Sequence, residues 1–338
     1  MTDRSAEITA FLAASGWGAA QRRHLAGDAS DRRYERLRLG AATAVLMDNP
    51  PGGADDPAAF SRMAQHLRGL GLSAPAVLAE DLSRGFMVLE DLGDDLFARL
   101  LQAAPSREAS LYAPAVDVLL HLQQAAPPPG LADLTAEDWA RAAGFALDWY
   151  AFAASGQKPD GGAFHDALTA ALAAHADGPR VLILRDYHAE NLLWLPGRDG
   201  LARVGLLDFQ LGQLGQPGYD LVSLLQDARR DVTPATEAAM IDRFAAAQGA
   251  DPARFAAHYA TLGAQRALRI LGIFARLCLV AGKPLYLRLI PRVWDQLQRN
   301  LAHPALAELR AICEALLPPP TPALLHKIEQ QCPASPSP

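Results

Sequence analysis

The spacing of apolar residues divides the chain into an early strand-rich stretch and a long helical one. Residues 5–15 place Ile8, Phe11 and Leu12 at helical spacing and predict an opening helix that ends near Gly16. Between Gly18 and Leu39 the pattern turns strand-like on both sides of Gly27-Asp28-Ala29-Ser30. Ala42–Met47 adds a third strand, closed by Asp48-Asn49-Pro50-Pro51-Gly52-Gly53. A helix is expected over Pro57–Gly69, followed by a hairpin built from Ala76–Leu78 and Phe86–Glu90. Beyond Gly93, apolar positions recur at i, i+3 and i+4 through Leu96–Gln102, Arg107–Gln124, Ala136–Ala154 and Ala163–Ala174, which predicts helices. Thr135 with Asp138 three residues later has the form of a helix start. Helices are also expected over Leu221–Ala228, Pro234–Gln248, Asp251–Ala281, Leu287–Asn300 and Ala305–Leu316. Pro318–Pro322 and the Pro/Ser tail are expected to be disordered or loosely packed.

One stretch interrupts the helical half. Val181–Leu184 is short, branched and apolar, as a buried strand is. Leu192–Leu195 and Val204–Leu207 read as a pair of strands joined by Pro196-Gly197-Arg198-Asp199-Gly200. Asp186, His188, Glu190 and Asn191 lie in the polar loop before that pair, and Asp208 follows it. A strand, a polar loop and a β-ribbon ending in Asp can aim several carboxylate and amide oxygens at one point. Phosphoryl transfer from ATP needs such a group: a carboxylate to orient and deprotonate the attacking hydroxyl, and hard oxygen ligands for Mg²⁺. Kinases arrange these as Asp-x-x-x-x-Asn followed by an Asp-Phe pair. Asp186 and Asn191 have that spacing, and Asp208-Phe209-Gln210 follows. The same residues also suit a β-hairpin with solvated turns.

Composition narrows the classes. The chain has 338 residues, half of them hydrophobic, enough for two domains or lobes. Its net charge of −6 and the absence of a basic tail argue against nucleic acid as a main partner. Cys278, Cys313 and Cys332 are odd in number and far apart; they form no metal or disulfide pattern, and a reducing cytoplasm is the simplest expectation. The first residues, M-T-D-R-S-A-E, lack a basic region followed by an apolar one, so no signal peptide is expected. No apolar run reaches the ~18 residues of a membrane span.

Asp186-Tyr187-His188-Ala189-Glu190-Asn191-Leu192 resembles the catalytic loop of the aminoglycoside phosphotransferase and choline kinase superfamily, usually His-Gly-Asp-Leu-His-x-x-Asn. Asp208-Phe209-Gln210, the run Gly218–Leu225 and Asp227-Ala228-Arg229 look most like the bacterial kinases of N-acetylmuramate and N-acetylglucosamine, as does Gly27-Asp28-Ala29-Ser30 followed by Arg32-Arg33-Tyr34. The resemblance runs from about Gly16 to Arg299. It implies an α+β, bilobal protein-kinase-like fold, with a small β-rich N-lobe for nucleotide (1–92), a mostly helical catalytic and acceptor-binding C-lobe (93–317) and a Pro-rich tail (318–338). It implies ATP and Mg²⁺ as cofactors, Asp186 as the catalytic carboxylate and Asn191 and Asp208 as metal ligands. Gly27, Asp28, Ala29 and Ser30 would cover the phosphates, although an ordinary hairpin turn would look the same. Glu90 and Leu92 fall in the stretch that acts as adenine hinge in the resembling family; a strand end with an acidic turn fits as well. Asp220 resembles the Asp that holds the loop from below, and an N-capping Asp would read alike. His188 most resembles a loop-pinning residue, and Glu190 either adds charge near the metal or is solvated.

One departure stands out. Kinase-like folds place a Lys on the third strand to hold phosphates. This strand reads A-T-A-V-L-M-D, and no Lys precedes Lys158. Arg33 is the candidate replacement, with Arg22, Arg23, Arg32, Arg36 and Arg38 as alternatives. For the acceptor, Arg185 precedes the catalytic Asp, and Arg266, Arg269 and Arg276 lie approximately on one face of a late helix among apolar residues. Partly buried Arg needs anionic company, either an internal acid or a substrate carboxylate such as the lactyl group of N-acetylmuramate. Trp149 and Tyr150 resemble an aromatic pair that could stack on a sugar ring; core packing is their alternative use. The expected activity is ATP-dependent phosphorylation of the anomeric hydroxyl of N-acetylmuramate or N-acetylglucosamine, feeding cell-wall recycling. The alternatives are a kinase of another small alcohol, such as an aminoglycoside, and a non-catalytic binding protein that keeps the fold.

Overall fold

The protein is represented by a computed structural model that describes residues 4–26, 32–51 and 56–333. The expected phosphate-covering turn Gly27-Asp28-Ala29-Ser30 lies outside the described residues. In chain order the elements are α1 (Arg4–Ala14), β1 (Gln21–Ala26), β2 (Arg33–Leu39), β3 (Ala42–Asp48), α2 (Pro57–Gly69), β4 (Val77–Asp81), β5 (Phe86–Glu90), α3 (Phe97–Ala103) and α4 (Glu108–Leu122). Then come α5 (Ala136–Ala143), a π-helical turn over Ala146–Ala151, α6 (Phe152–Ser155), α7 (Gly162–Ala171), β6 (Val181–Ile183), β7 (Leu192–Trp194), β8 (Val204–Leu206) and β9 (Gln213–Gly215). The rest is helical: α8 (Tyr219–Leu225), α9 (Pro234–Ala247), α10 (Pro252–Ala281), α11 (Ile290–Leu301), α12 (Ala307–Leu316) and α13 (Pro322–Glu329).

Two compact units result. The first comprises Met1–Pro128 with Ala189–Gly212, the second Pro129–His188 with Gln213–Pro338. This division does not follow the boundary expected near residue 92. The reason is local: α3 and α4 stay with the first unit, where Leu96 bridges Leu193 of β7 and His121 bonds Leu70 O.

The first unit is built on an antiparallel sheet of order β1-β2-β3-β5-β4. Strand alternation gives β3 two buried faces. Ala44 and Leu46 pack with Leu37, Phe86 and Val88 against Ile8, Phe11 and Leu12 of α1, each large side chain contributing roughly 1.5–3 kcal/mol. Val45, between them, points to the opposite face. The β2–β3 hairpin closes through Gly40, whose φ of 62° is a left-handed conformation that a Cβ would resist. α2 is started by Asp56, which accepts from Ala58 N–H, with Pro57 in the first turn. The ribbon of β7 and β8 pairs Leu192 with Leu206.

In the second unit, β6 pairs antiparallel with β9, a strand that the sequence pattern did not predict because Gln213-Leu214-Gly215 carries a single apolar side chain. The 30-residue α10 runs through the middle of the helical packing, from an Asp251 cap to Gly282. Gly272 lets α10 touch the backbone of Phe145, where a Cβ would overlap. That close approach holds the π-helical turn with Trp149 and Tyr150 beside α10. The tail is a correction to the sequence reading. Thr321 caps α13, Pro322 sits in its first turn, and Ile328 is fully buried. A second correction concerns cysteine: α13 brings Cys332 to Cys278 at the end of α10, and the two form a disulfide (Cα–Cα 5.1 Å) across 54 positions. No helix of the described residues is long and apolar enough to cross a membrane.

Candidate active site

Among the described residues, two non-glycine residues have left-handed backbone: Arg185 (φ 72°) and Asp208 (φ 57°). Such conformations cost energy and persist where the surroundings over-determine them. Here one follows β6 and the other follows β8, at the two positions where the sequence places chemistry.

In the first unit, Asp208 leaves the ribbon with Phe209 fully buried beneath it and stacked on Phe60 at 5.0 Å. Leu207 N–H donates to Asn191 O (2.9 Å), so the ribbon register sets Asn191 beside the Asp208 turn. Arg32 Nη2 donates to Asp208 Oδ1 (2.8 Å), and Gln210 Nε2 donates to the same oxygen (2.9 Å). Asn191 and Asp208 share the lining of a cavity of about 330 Å³ with Glu190, Leu92 and Glu90. Its walls include Val45 and Leu89, the apolar counterpart of the polar rim. The N–H groups of Glu90 and Gly93 are bonded to Ala76 O and Asp91 Oδ1. Glu90 itself is held by Arg198 and Arg68 and accepts from Ala76 N–H.

The cation candidates separate by strand alternation. Tyr34 and Arg36 line the cavity, whereas Arg33 is exposed and falls on the other face of β2, away from it. The expectation for Arg33 is therefore corrected: Arg32, 8% exposed, is the arginine on Asp208, and Arg36 pairs with Asp91 and Asp94. The signal was ambiguous because several arginines crowd that stretch.

In the second unit, Asp220 is completely buried at the start of α8, and its two carboxylate oxygens accept from Leu184 N–H (2.6 Å) and Arg185 N–H (2.8 Å). Ser223 Oγ donates to Arg185 O (3.0 Å). These three bonds fix the turn into Asp186, whose N–H donates to Leu184 O (2.9 Å). His188 is buried with Arg229 Nη1 3.4 Å from its Nε2; burial, then Arg229 and Arg266, push its pKa well down, so the ring is neutral. Arg266, 7% exposed, is spent on Ser223 Oγ (2.9 Å) and Gln226 O (3.4 Å) and so supports the loop rather than reaching outward. Tyr150 is likewise corrected: it is fully buried and its hydroxyl donates to Pro318 O (2.7 Å), a packing role. Trp149 is half-buried, with Arg276 stacked 5.7 Å from its ring centre.

Burial raises Asp220 to about 7 against an ordinary 3.8. A carboxyl raised in the folded state holds a proton that the unfolded chain has released. Its contribution is complete below about pH 4 and is lost as pH rises through 7. Asp220→Asn should flatten that pH dependence of stability in urea titrations. Asp220→Ala should cost about 2–5 kcal/mol, because two buried N–H groups lose their acceptor. Equal stability of the Ala variant and the wild type would remove Asp220 from this role.

Residues 21–258 match the phosphotransferase enzyme family. A relative in Caulobacter vibrioides, named N-acetylmuramate/N-acetylglucosamine kinase, is 41% identical across 94% of this chain and 98% of its own. The chain belongs to the phosphotransferase enzyme family. Its fold recurs in a choline/ethanolamine kinase family protein from Mesorhizobium loti (TM-score 0.61, 17% identity, covering 97% of this chain and 100% of that one). It recurs also in an aminoglycoside phosphotransferase solved with ADP and hygromycin B (TM-score 0.53, 16% identity, 91% and 98% covered). This phosphotransferase thus presents the α+β, kinase-like fold expected from its sequence, and its ribbon brings Asn191 and Asp208 together.

Proposed function

We propose that this phosphotransferase transfers the γ-phosphoryl group of ATP to the anomeric hydroxyl of N-acetylmuramate or N-acetylglucosamine, making sugar 1-phosphates in cell-wall recycling. The observation that carries the substrate is the full-length likeness to a kinase of that name. The geometry supports the chemistry. The apolar cavity beside Leu92 suits an adenine ring, with the backbone of Asp91 and Leu92 as its hydrogen-bonding edge.

Asn191 and Asp208 offer one amide and one carboxylate oxygen at the same cavity. That donor set fits Mg²⁺, which commonly takes one or two protein ligands and completes its shell with waters and phosphate oxygens. When bound, the ion supplies charge compensation for the transferred phosphoryl group. Asp186 orients the acceptor hydroxyl and receives its proton. Arg32 stands where a cation can serve both Asp208 and phosphate oxygens, in place of the missing strand Lys. Four arginines (Arg185, Arg229, Arg266 and Arg269) gather near the loop in the second unit. Like charges repel, so this environment disfavours polycationic aminoglycosides as acceptors.

An ADP-release assay with Mg-ATP and each sugar, with phosphorus NMR of the product, tests the proposal. A 1-phosphate product is expected. Turnover confined to choline or kanamycin would discard the sugar assignment. Arg32→Gln should raise the KM for ATP by ~10-fold, the scale of one charge-assisted hydrogen bond. Arg33→Ala should leave it near the wild-type value. The reverse order would restore Arg33 as the phosphate cation.

A further inference from the structure

The arginines of the second unit are not equally employed. Arg229 lies against His188, and Arg266 is tied to Ser223 and Gln226. Arg185 and Arg269 differ. Arg185 Nε is buried without a hydrogen-bond partner. Neither Arg185 nor Arg269 makes an ion pair among the described residues. Burial, and then repulsion from Arg269, pull the Arg185 pKa down, while Tyr219, Asp186 and Asp220 act in the opposite sense. A half-buried pair of like charges is costly unless an anion joins it.

Asp186 and Asp220 attract Arg185, but neither makes an ion pair with it. Both Asp220 oxygens accept backbone N–H groups. Asp227 Oδ1 accepts Arg229 N–H, and its Oδ2 is buried without a hydrogen-bond partner. Asp186 is the proposed proton acceptor. The backbone fixes where the two arginines stand. Arg185 directly precedes Asp186. Arg269 lies three residues beyond Arg266, one turn along the same helix face. Arg266 is bonded to Ser223 Oγ, the hydroxyl that also donates to Arg185 O. Ser223 therefore ties the arginine face of α10 to the turn that carries Asp186.

We propose that Arg185 and Arg269 form an anion subsite that grips a carboxylate of the acceptor while its hydroxyl meets Asp186. Two planar guanidinium forks suit a carboxylate, which each can bind through two hydrogen bonds. The proposal rests on the amino-sugar reading above and deepens it: N-acetylmuramate carries a lactyl carboxylate and N-acetylglucosamine does not, so the subsite sets preference between them.

The test compares wild type, Arg269→Gln and Arg269→Lys. The first readout is the ratio of kcat/KM for N-acetylmuramate to that for N-acetylglucosamine. Arg269→Gln should lower this ratio by ~10–100-fold, the range of hydrogen bonds to a charged group. Arg269→Lys, which keeps charge without the fork, should give an intermediate ratio and also serves if the Gln variant does not fold. A ratio within twofold of wild type in both variants overturns the subsite. The second readout is calorimetric binding of each sugar in the absence of ATP. If wild type phosphorylates neither sugar but binds N-acetylmuramate in an Arg269-dependent way, the amino-sugar kinase reading fails and the subsite stands. Equal binding of the two sugars by wild type overturns the subsite whatever the turnover.

Discussion

Asp186→Asn is expected to lower kcat by at least ~10²-fold with the fold intact, the scale of losing a positioned general base. The substitution keeps size and shape at a position held by its surroundings. Asp186 follows a left-handed Arg185, and Asp220 and Ser223 fix the turn that carries it. Asn can still hydrogen-bond a substrate hydroxyl but cannot take its proton. The loss should therefore appear in kcat more than in the KM for the acceptor. Single-turnover measurements with Mg-ATP and N-acetylglucosamine, beside urea titrations of the same variant, check it. Unchanged turnover in a stably folded variant would sink the assignment and favour a different proton acceptor. Failure of the wild type itself to turn over any tested alcohol would favour the non-catalytic reading, which the absent strand Lys first suggested.

Some of this was legible in the sequence and some was not, for physical reasons. The loop from Asp186 to Asn191 and the ribbon ending in Asp208 were readable because strand period and turn chemistry are local properties. The left-handed backbone of Arg185 and Asp208 was not, since no glycine marks it. β9 escaped because Gln213-Leu214-Gly215 has a single apolar side chain and so no strand pattern, although its pairing with β6 completes the strand before the loop. The choice among arginines 32, 33 and 36 depended on which face of β2 turns to the cavity, and a one-residue shift in register reverses that answer. Arg266 and Tyr150 were left between substrate contact and internal use because apolar neighbours on a helix do not reveal a partner brought from elsewhere in the chain. Ser223 and Pro318 are those partners, 43 and 168 positions away. The Cys278–Cys332 pair was invisible for the same reason: proline-rich composition suggested a loose tail, but Thr321 and Pro322 start a helix that carries Cys332 back.

Asp208→Asn should raise the Mg²⁺ concentration for half-maximal rate by at least ~10-fold and lower the maximal rate. Loss of even an outer partner of a metal site costs ~10–100-fold in affinity, and a direct carboxylate ligand should cost no less. The structure adds a reason specific to this chain. Asp208 Oδ1 accepts from both Arg32 and Gln210. An amide in its place keeps one oxygen for those donors, yet it carries no charge to balance Arg32 or a divalent ion. Arg32, 8% exposed, would then lose the carboxylate charge of Asp208 that faces it. The variant should thus show a steeper dependence on ATP as well as on Mg²⁺, with the two coupled: high Mg-ATP restores part of the rate. Asp186→Asn should show no such rescue, since its defect lies in proton transfer. Initial rates over a grid of Mg²⁺ and ATP concentrations separate the two variants. A Mg²⁺ dependence in Asp208→Asn identical to that of wild type would exclude Asp208 as a ligand and leave its strained backbone, its bond to Arg32 and its place at the cavity as features of nucleotide binding alone.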